Sequence, residues 1–206
     1  MVRSDPTRVE LEVLIDEVLD AGPDPDVLDP VMVALHAVSV EVMLAQGLHD
    51  EALAMIDAVI ESTGTLFGAA APQTLDAERT RAQVLVAAGA RPEAIASLTG
   101  ALERAEAAGT ADTLAGLNCR ADLVDLLVCR LTTVHAHHRD AFDDVVADLR
   151  RHQERLAAGA ARLEPLHHVR CVSDDTADLL WALDDGAWDR EDEEDLGDDE
   201  GPAASA

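Results

Sequence analysis

The sequence predicts an all-α protein: stacked antiparallel helical hairpins forming a short α-solenoid, followed by a disordered acidic C-terminal tail. Three observations carry that reading. Of 206 residues, 37 are Ala and 27 are Leu, while Phe and Trp contribute two each and Tyr is absent. Strands favour β-branched and aromatic side chains, so a β-sandwich or barrel is disfavoured. Apolar residues recur at spacings of three and four along most of the chain, which is the period of one helix face. A hairpin pattern then recurs 42 residues after its first copy.

Taken in order, Ser4 and Asp5 ahead of Pro6 read as a helix start, because a short polar cap accepts free backbone N–H groups and proline tolerates the first helical position. Leu11, Leu14, Ile15, Val18 and Leu19 give that helix one apolar face, and Gly22-Pro23 stops it. Asp29-Pro30 repeats the start signal. The segment from Val31 to Gln46 is apolar almost all round, with Glu41 as its only acidic or basic residue, so it needs cover on more than one side. Gly47 ends it. A helix from Asp50 to about Ser62 returns with Leu53, Ile56, Val59 and Ile60 as its buried stripe, closing an αα-hairpin.

Thr63 to Gln73, with Gly64, Gly68 and Pro72, reads as a loop. Thr74 to Ala88 is helical, Gly89-Ala90 turns the chain, and Arg91 to Ala108 returns, ending at Gly109. Ala111 to Val134 and Arg139 to Ala158 make a third hairpin. A stretch from Ala160 to Val172 is interrupted by Pro165, and Ser173-Asp174-Asp175 caps a last helix, Thr176 to Leu183, carrying Leu179, Leu180, Trp181 and Leu183. That helix is expected to close the open end of the stack. The expected organisation is a helical repeat domain over 1–183, with repeats at about 31–62, 74–108 and 111–158 and a cap over 160–183, then an acidic tail over 184–206.

The repeat is specific at the residue level. Met43, Gly47, Glu51, Ala52, Ile56 and Val59 fall on Leu85, Gly89, Glu93, Ala94, Leu98 and Ala101. A turn glycine suits a left-handed helix end, and an alanine five residues later lets two helices cross closely. Asp140, Ala141 and Val145 continue the pattern in the third copy, with Ala136 in place of the glycine. This spacing resembles the tetratricopeptide repeat (TPR) family over about Val31 to Ala158, with Met43 and Leu85 where the family commonly carries aromatics. The resemblance implies a solenoid whose concave face, lined by the first helix of each hairpin, holds a peptide or helix of a partner protein. Exposed polar candidates on those first helices are Glu41, Glu78, Arg81 and Arg120.

Charge narrows the partners. The chain has 42 Asp and Glu against 15 Arg and no Lys, a net −27, which disfavours sequence-independent binding to nucleic acid or to an anionic membrane. Arg3, Asp5, Arg8, Glu10 and Glu12 interrupt the start of the chain before an apolar run forms, and the longest uncharged stretch, Ser62 to Leu75, is too short to span a bilayer. A cytoplasmic protein is expected. Cys119, Cys129 and Cys171 form no CxxC pair and read as reduced thiols, mostly core filler.

Two rival classes use other residues. His135, His137, His138, His167, His168 and Cys171 invite a metal or a Cys/His catalytic site, since His167 and Cys171 share a helix face. The bland alternative is surface histidine at helix ends with a buried thiol. No phosphate-loop, dinucleotide, zinc-protease or nucleophile-elbow motif is present, and the lack of Lys excludes a Schiff base. No enzyme activity, cofactor or metal is therefore expected. The other rival is a helical homo-oligomer that buries its apolar first helices between subunits.

From Asp184 onward, eleven acidic residues are opposed by Arg190 alone, a run that repels itself and has little to bury. It reads either as a solubilising tail or as a polyanion with Trp188 as an apolar anchor. Arg150, Arg151 and Arg155 cluster upstream, with Arg139 and Arg162 on either side. They either pair with Asp143, Asp144, Asp148 and Glu154 or dock the acidic tail or an acidic partner.

Overall fold

A computed structural model describes residues 30–134, 139–163 and 167–184, and every regular element among them is an α-helix. Seven helices are described: α1 (Pro30–Ala45), α2 (His49–Phe67), α3 (Pro72–Ala87), α4 (Arg91–Ala108), α5 (Leu114–Val134), α6 (Arg139–Ala160) and α7 (His168–Asp184). The expected first helix, with Leu11 to Leu19, and the expected tail from residue 185 lie outside the described residues, as do His135, His137, His138 and Pro165.

The helix ends follow from backbone chemistry. Gly47, Gly89 and Gly109 all have positive φ. In each turn the glycine N–H and the next N–H bond back into the last helical turn. The three pairs are Gly47 to Leu44 O with Leu48 to Met43 O, Gly89 to Val86 O with Ala90 to Leu85 O, and Gly109 to Glu106 O with Thr110 to Ala105 O. This is the Schellman arrangement, which satisfies carbonyls that a helix end leaves free. Proline in the first turn of α3 and α4, and acidic residues in the first turn of α2 and α4, suit the other ends.

Two expectations about boundaries are corrected. The loop expected over Thr63 to Gln73 shrinks to residues 68–71, because α2 continues to Phe67 and α3 starts at Pro72. Thr63 and Thr65 remain helical by donating their hydroxyls to Val59 O (2.8 Å) and Glu61 O (2.9 Å). Ser173-Asp174-Asp175 is not a cap: α7 starts at His168 and runs through it. Ser173 is buried, and its carbonyl accepts Gln153 Nε2 from α6 at 3.2 Å.

The chain forms two compact units, Met1–Leu123 and Val124–Ala206, and the division falls inside α5. In the first unit each helix packs on the next from α1 through α4, and α1 also touches α3. Val40, Met43, Ala52, Met55, Ile56, Val59, Ala77 and Val84 form its core, with Leu44, Leu53 and Ile60 packed against it. Every large apolar member contributes roughly 1.5–3 kcal/mol by leaving water. The repeat pairs Met43 and Leu85, Ala52 and Ala94, Ile56 and Leu98, and Val59 and Ala101 are all buried. Repeat-equivalent residues thus do the same packing work.

In the second unit α6 packs on α7. Val145, Leu149, Leu156 and Ala160 are the buried stripe of α6, while Val169, Val172, Thr176 and Leu180 supply that of α7. Trp181 on the same helix is 71% exposed. Among the described residues no helix is long and apolar enough to cross a membrane.

Candidate functional site

The first helices of successive hairpins stand side by side in the first unit. α1 touches α3. α3 is tied to the N-terminal half of α5 by Arg79, whose Nε and Nη2 donate to the two carboxylate oxygens of Asp122 at 2.8 and 3.3 Å. Gln83 Nε2, one helical turn on, reaches the same carboxylate at 3.5 Å. Beneath this pair the buried Cys119 thiol donates to Leu75 O at 3.3 Å. Burial pushes that thiol up to about 12, helped by the negative charges of Asp122 and Asp76 and opposed by Arg79. A thiol held neutral in this way packs rather than reacts.

The four polar residues expected on this row separate sharply. Glu41 is exposed on α1. Arg81 is half-buried on α3, with Nε donating to Asp57 Oδ1 of α2 at 2.7 Å and Nη1 donating to Ser97 Oγ of α4 at 3.1 Å. Glu78 and Arg120 are not exposed, contrary to expectation. Glu78 is 8% accessible, accepts the Ser97 hydroxyl at 3.2 Å and is ion-paired with Arg104 of α4. Arg120 is 2% accessible and pairs with Glu106 at 3.0 Å. Helical periodicity gives the face of a charged residue but not the charge waiting on the neighbouring helix, and a buried charge is retained where such a partner exists.

What remains at the surface of α1 and α3 is a mixed apolar and polar strip. Val38 is 52% exposed, and Glu41 and Ala45 follow at helical spacing; Gln83 and Ala87 are exposed at the repeat-equivalent positions of Glu41 and Ala45. Arg79, Gln83 and Asp122 were not among the sequence candidates. The i, i+4 spacing of Arg79 and Gln83 on α3 is the signal that marks them as one face.

Comparison with protein-family models, with curated proteins and with solved structures finds no match. The assignment of this strip therefore rests on the chain's own geometry.

Of the histidine and cysteine set, His167, His168 and Cys171 fall among the described residues. Among the described residues no group of three or more His, Cys, Asp or Glu is placed to hold a metal ion. His167 Nδ1 accepts the Val169 N–H at 3.3 Å at the start of α7. Cys129 and Cys171 are exposed, so of the three thiols only Cys119 is core filler, a correction to the expectation for the other two.

Proposed function

We propose that the chain is a TPR-like helical-repeat scaffold that works in the cytoplasm and holds a segment of a partner protein along the row α1, α3 and α5. The observation that supports this reading is the repetition itself. Two hairpins share a 42-residue offset, the same turn hydrogen bonds and the same buried alanine, and their first helices lie in contact. Repeated hairpins in this register build a continuous face rather than a closed pocket. The exposed strip of Val38, Glu41, Ala45, Gln83 and Ala87 offers apolar contact flanked by acceptor groups. The segment that fits it is an amphipathic helix with a basic flank, read through anchors one turn apart. The role is one of binding, as an adaptor or regulatory module, and not of catalysis.

The test is selection of peptides from a randomised display library on the immobilised full chain, followed by affinity measurement on variants. Val38→Asp and Glu41→Arg, both at exposed positions, should leave the far-UV circular dichroism unchanged and weaken selected peptides at least about tenfold, roughly 1.4 kcal/mol. Peptides that bind both variants as tightly as the parent chain would remove this face from the account. Molar mass in solution, measured alongside, separates partner binding from burial of the same row between copies of the chain.

A further inference from the structure

Half of the large apolar side chains exposed among the described residues belong to one edge of the first unit. Leu66 and Phe67 end α2 and Leu114 starts α5, and they are 42%, 43% and 52% exposed. Two turns distant in sequence meet here. The Thr110 hydroxyl, just ahead of α5, donates to Ala70 O, just after α2, at 2.7 Å. The buried Thr74 hydroxyl donates to Gly68 O at 2.9 Å, and the Ala71 N–H reaches the same carbonyl at 3.1 Å. Thr113 Oγ1 donates to Thr110 O at 2.8 Å. The turn between α2 and α3 is thus held from both sides, and an edge ordered in advance loses little freedom when it is covered.

Two further features suit this edge to burial. The carbonyls of Gly68, Ala70 and Thr110 each already accept a threonine hydroxyl, so covering them strands none of the three. Charge is almost absent: residues 62–75 and 107–119 contain one acidic or basic residue, Asp112, which already has an interaction partner. Charge also selects the occupant. A basic partner gains nothing at an uncharged edge and is drawn to acidic faces instead. Two copies of a chain with net charge −27 repel each other, and they meet at least cost where neither presents charge. An apolar edge with its polar groups internally satisfied is complementary to itself, which is what a two-fold contact requires.

We propose that a second copy of this chain covers the edge, with Leu66, Phe67 and Leu114 as the anchors of a two-fold dimer. None of these residues belongs to the strip of Val38, Glu41, Ala45, Gln83 and Ala87, so the two contacts are separable by substitution.

The experiment is sedimentation of the full chain over a concentration series at low and high salt. Molar mass should rise from one chain toward two with concentration, and the dimer should be tighter at high salt, because salt screens the repulsion and leaves the apolar contact intact. Leu66→Glu/Leu114→Glu, at exposed helical positions, should keep the far-UV circular dichroism and raise the dimer dissociation constant at least about tenfold. Ala69→Glu, in the turn between α2 and α3, places charge in the same edge without a change in any helix and should act in the same direction. Val38→Asp/Glu41→Arg should leave the constant within about twofold. A chain that stays single at every concentration and salt overturns the proposal. So does a dimer that both edge variants leave intact, or one lost in the Val38 and Glu41 variant, which would place the second copy on the face of α1 and α3.

Discussion

Gly47 and Gly89 hold the same left-handed backbone at the same place in successive hairpins, with φ of 76° and 81°. In each turn the following residue donates to the carbonyl five residues back, Leu48 to Met43 at 2.9 Å and Ala90 to Leu85 at 2.8 Å. A Cβ at either position meets nothing within 4 Å, so the demand for glycine is purely conformational. Gly47→Ala and Gly89→Ala should each cost about 1–2 kcal/mol, the strain of an L-residue in that region, and Gly→Asn less. Urea denaturation of the full chain checks this. Near-zero cost at both sites would mean that the turns can open without loss.

Gly64 and Gly116 give opposite expectations from the same substitution. Gly64 lies within α2 with open space where a Cβ would stand. Gly64→Ala should therefore stabilise by roughly 0.5–1 kcal/mol through the smaller entropy of the unfolded chain. At Gly116 a Cβ would sit 2.4 Å from Ala111 O and 2.8 Å from its carbonyl carbon. The neighbour is backbone and cannot rotate away, so Gly116→Ala should cost about 1–3 kcal/mol. Thermal denaturation should move the two midpoints in opposite directions.

Those glycines also mark what the sequence makes legible. Turn glycines followed by a small residue gave the hairpins and their register, because the Schellman turn and a close crossing each need a particular residue type at a fixed offset. Gly64 sent the reading astray: its neighbours Thr63 and Thr65 look like loop residues, yet back-bonded hydroxyls keep them helical. The Ser173-Asp174-Asp175 cap failed for a related reason. Val169, Val172, Thr176 and Leu180 form one stripe across it, and that period, read over a longer window, marks a single helix. On α1, the exposure of Glu41 is legible because it is the one acidic or basic residue on an apolar helix. The burial of Glu78 and Arg120 is not, since it depends on Arg104 and Glu106 of α4, and the sequence does not display that meeting of helices.

The polar chain from Asp57 through Arg81, Ser97 and Glu78 to Arg104 joins α2, α3 and α4, and its two ends differ in exposure. The Glu78 side chain is 10% accessible, while Asp57 is 55%. Water screens the Asp57–Arg81 pair, so a double-mutant cycle there should give a coupling below about 1 kcal/mol. The cycle on Glu78 and Arg104, with its nearly buried carboxylate, should give about 1.5–3 kcal/mol. Glu78→Gln should lose less than Glu78→Ala, because the amide still accepts the Ser97 hydroxyl. Equal couplings in the two cycles would show that burial of Glu78 does not strengthen its pair.

Cys119 ties the alkaline limit of the fold to one buried thiol. Folding raises its pKa from an ordinary 9.0 to about 12, first through burial and then through the carboxylates of Asp122 and Asp76. The raised value means that the folded state favours the protonated thiol, which keeps its hydrogen bond to Leu75 O. That contribution is complete below pH 9 and is lost as pH rises from the unfolded value toward the folded one, at up to about 1.4 kcal/mol per pH unit. In Cys119→Ala the thiol is gone, so stability against urea should fall less steeply than in the parent chain between pH 9 and 12. A thiol-specific reagent should read the same environment at neutral pH. Cys129 and Cys171, both exposed, should react in the native protein, and Cys119 only after denaturation. Three equally fast thiols, or parallel alkaline curves for parent and variant, would place Cys119 in contact with water and remove it from the α3–α5 contact.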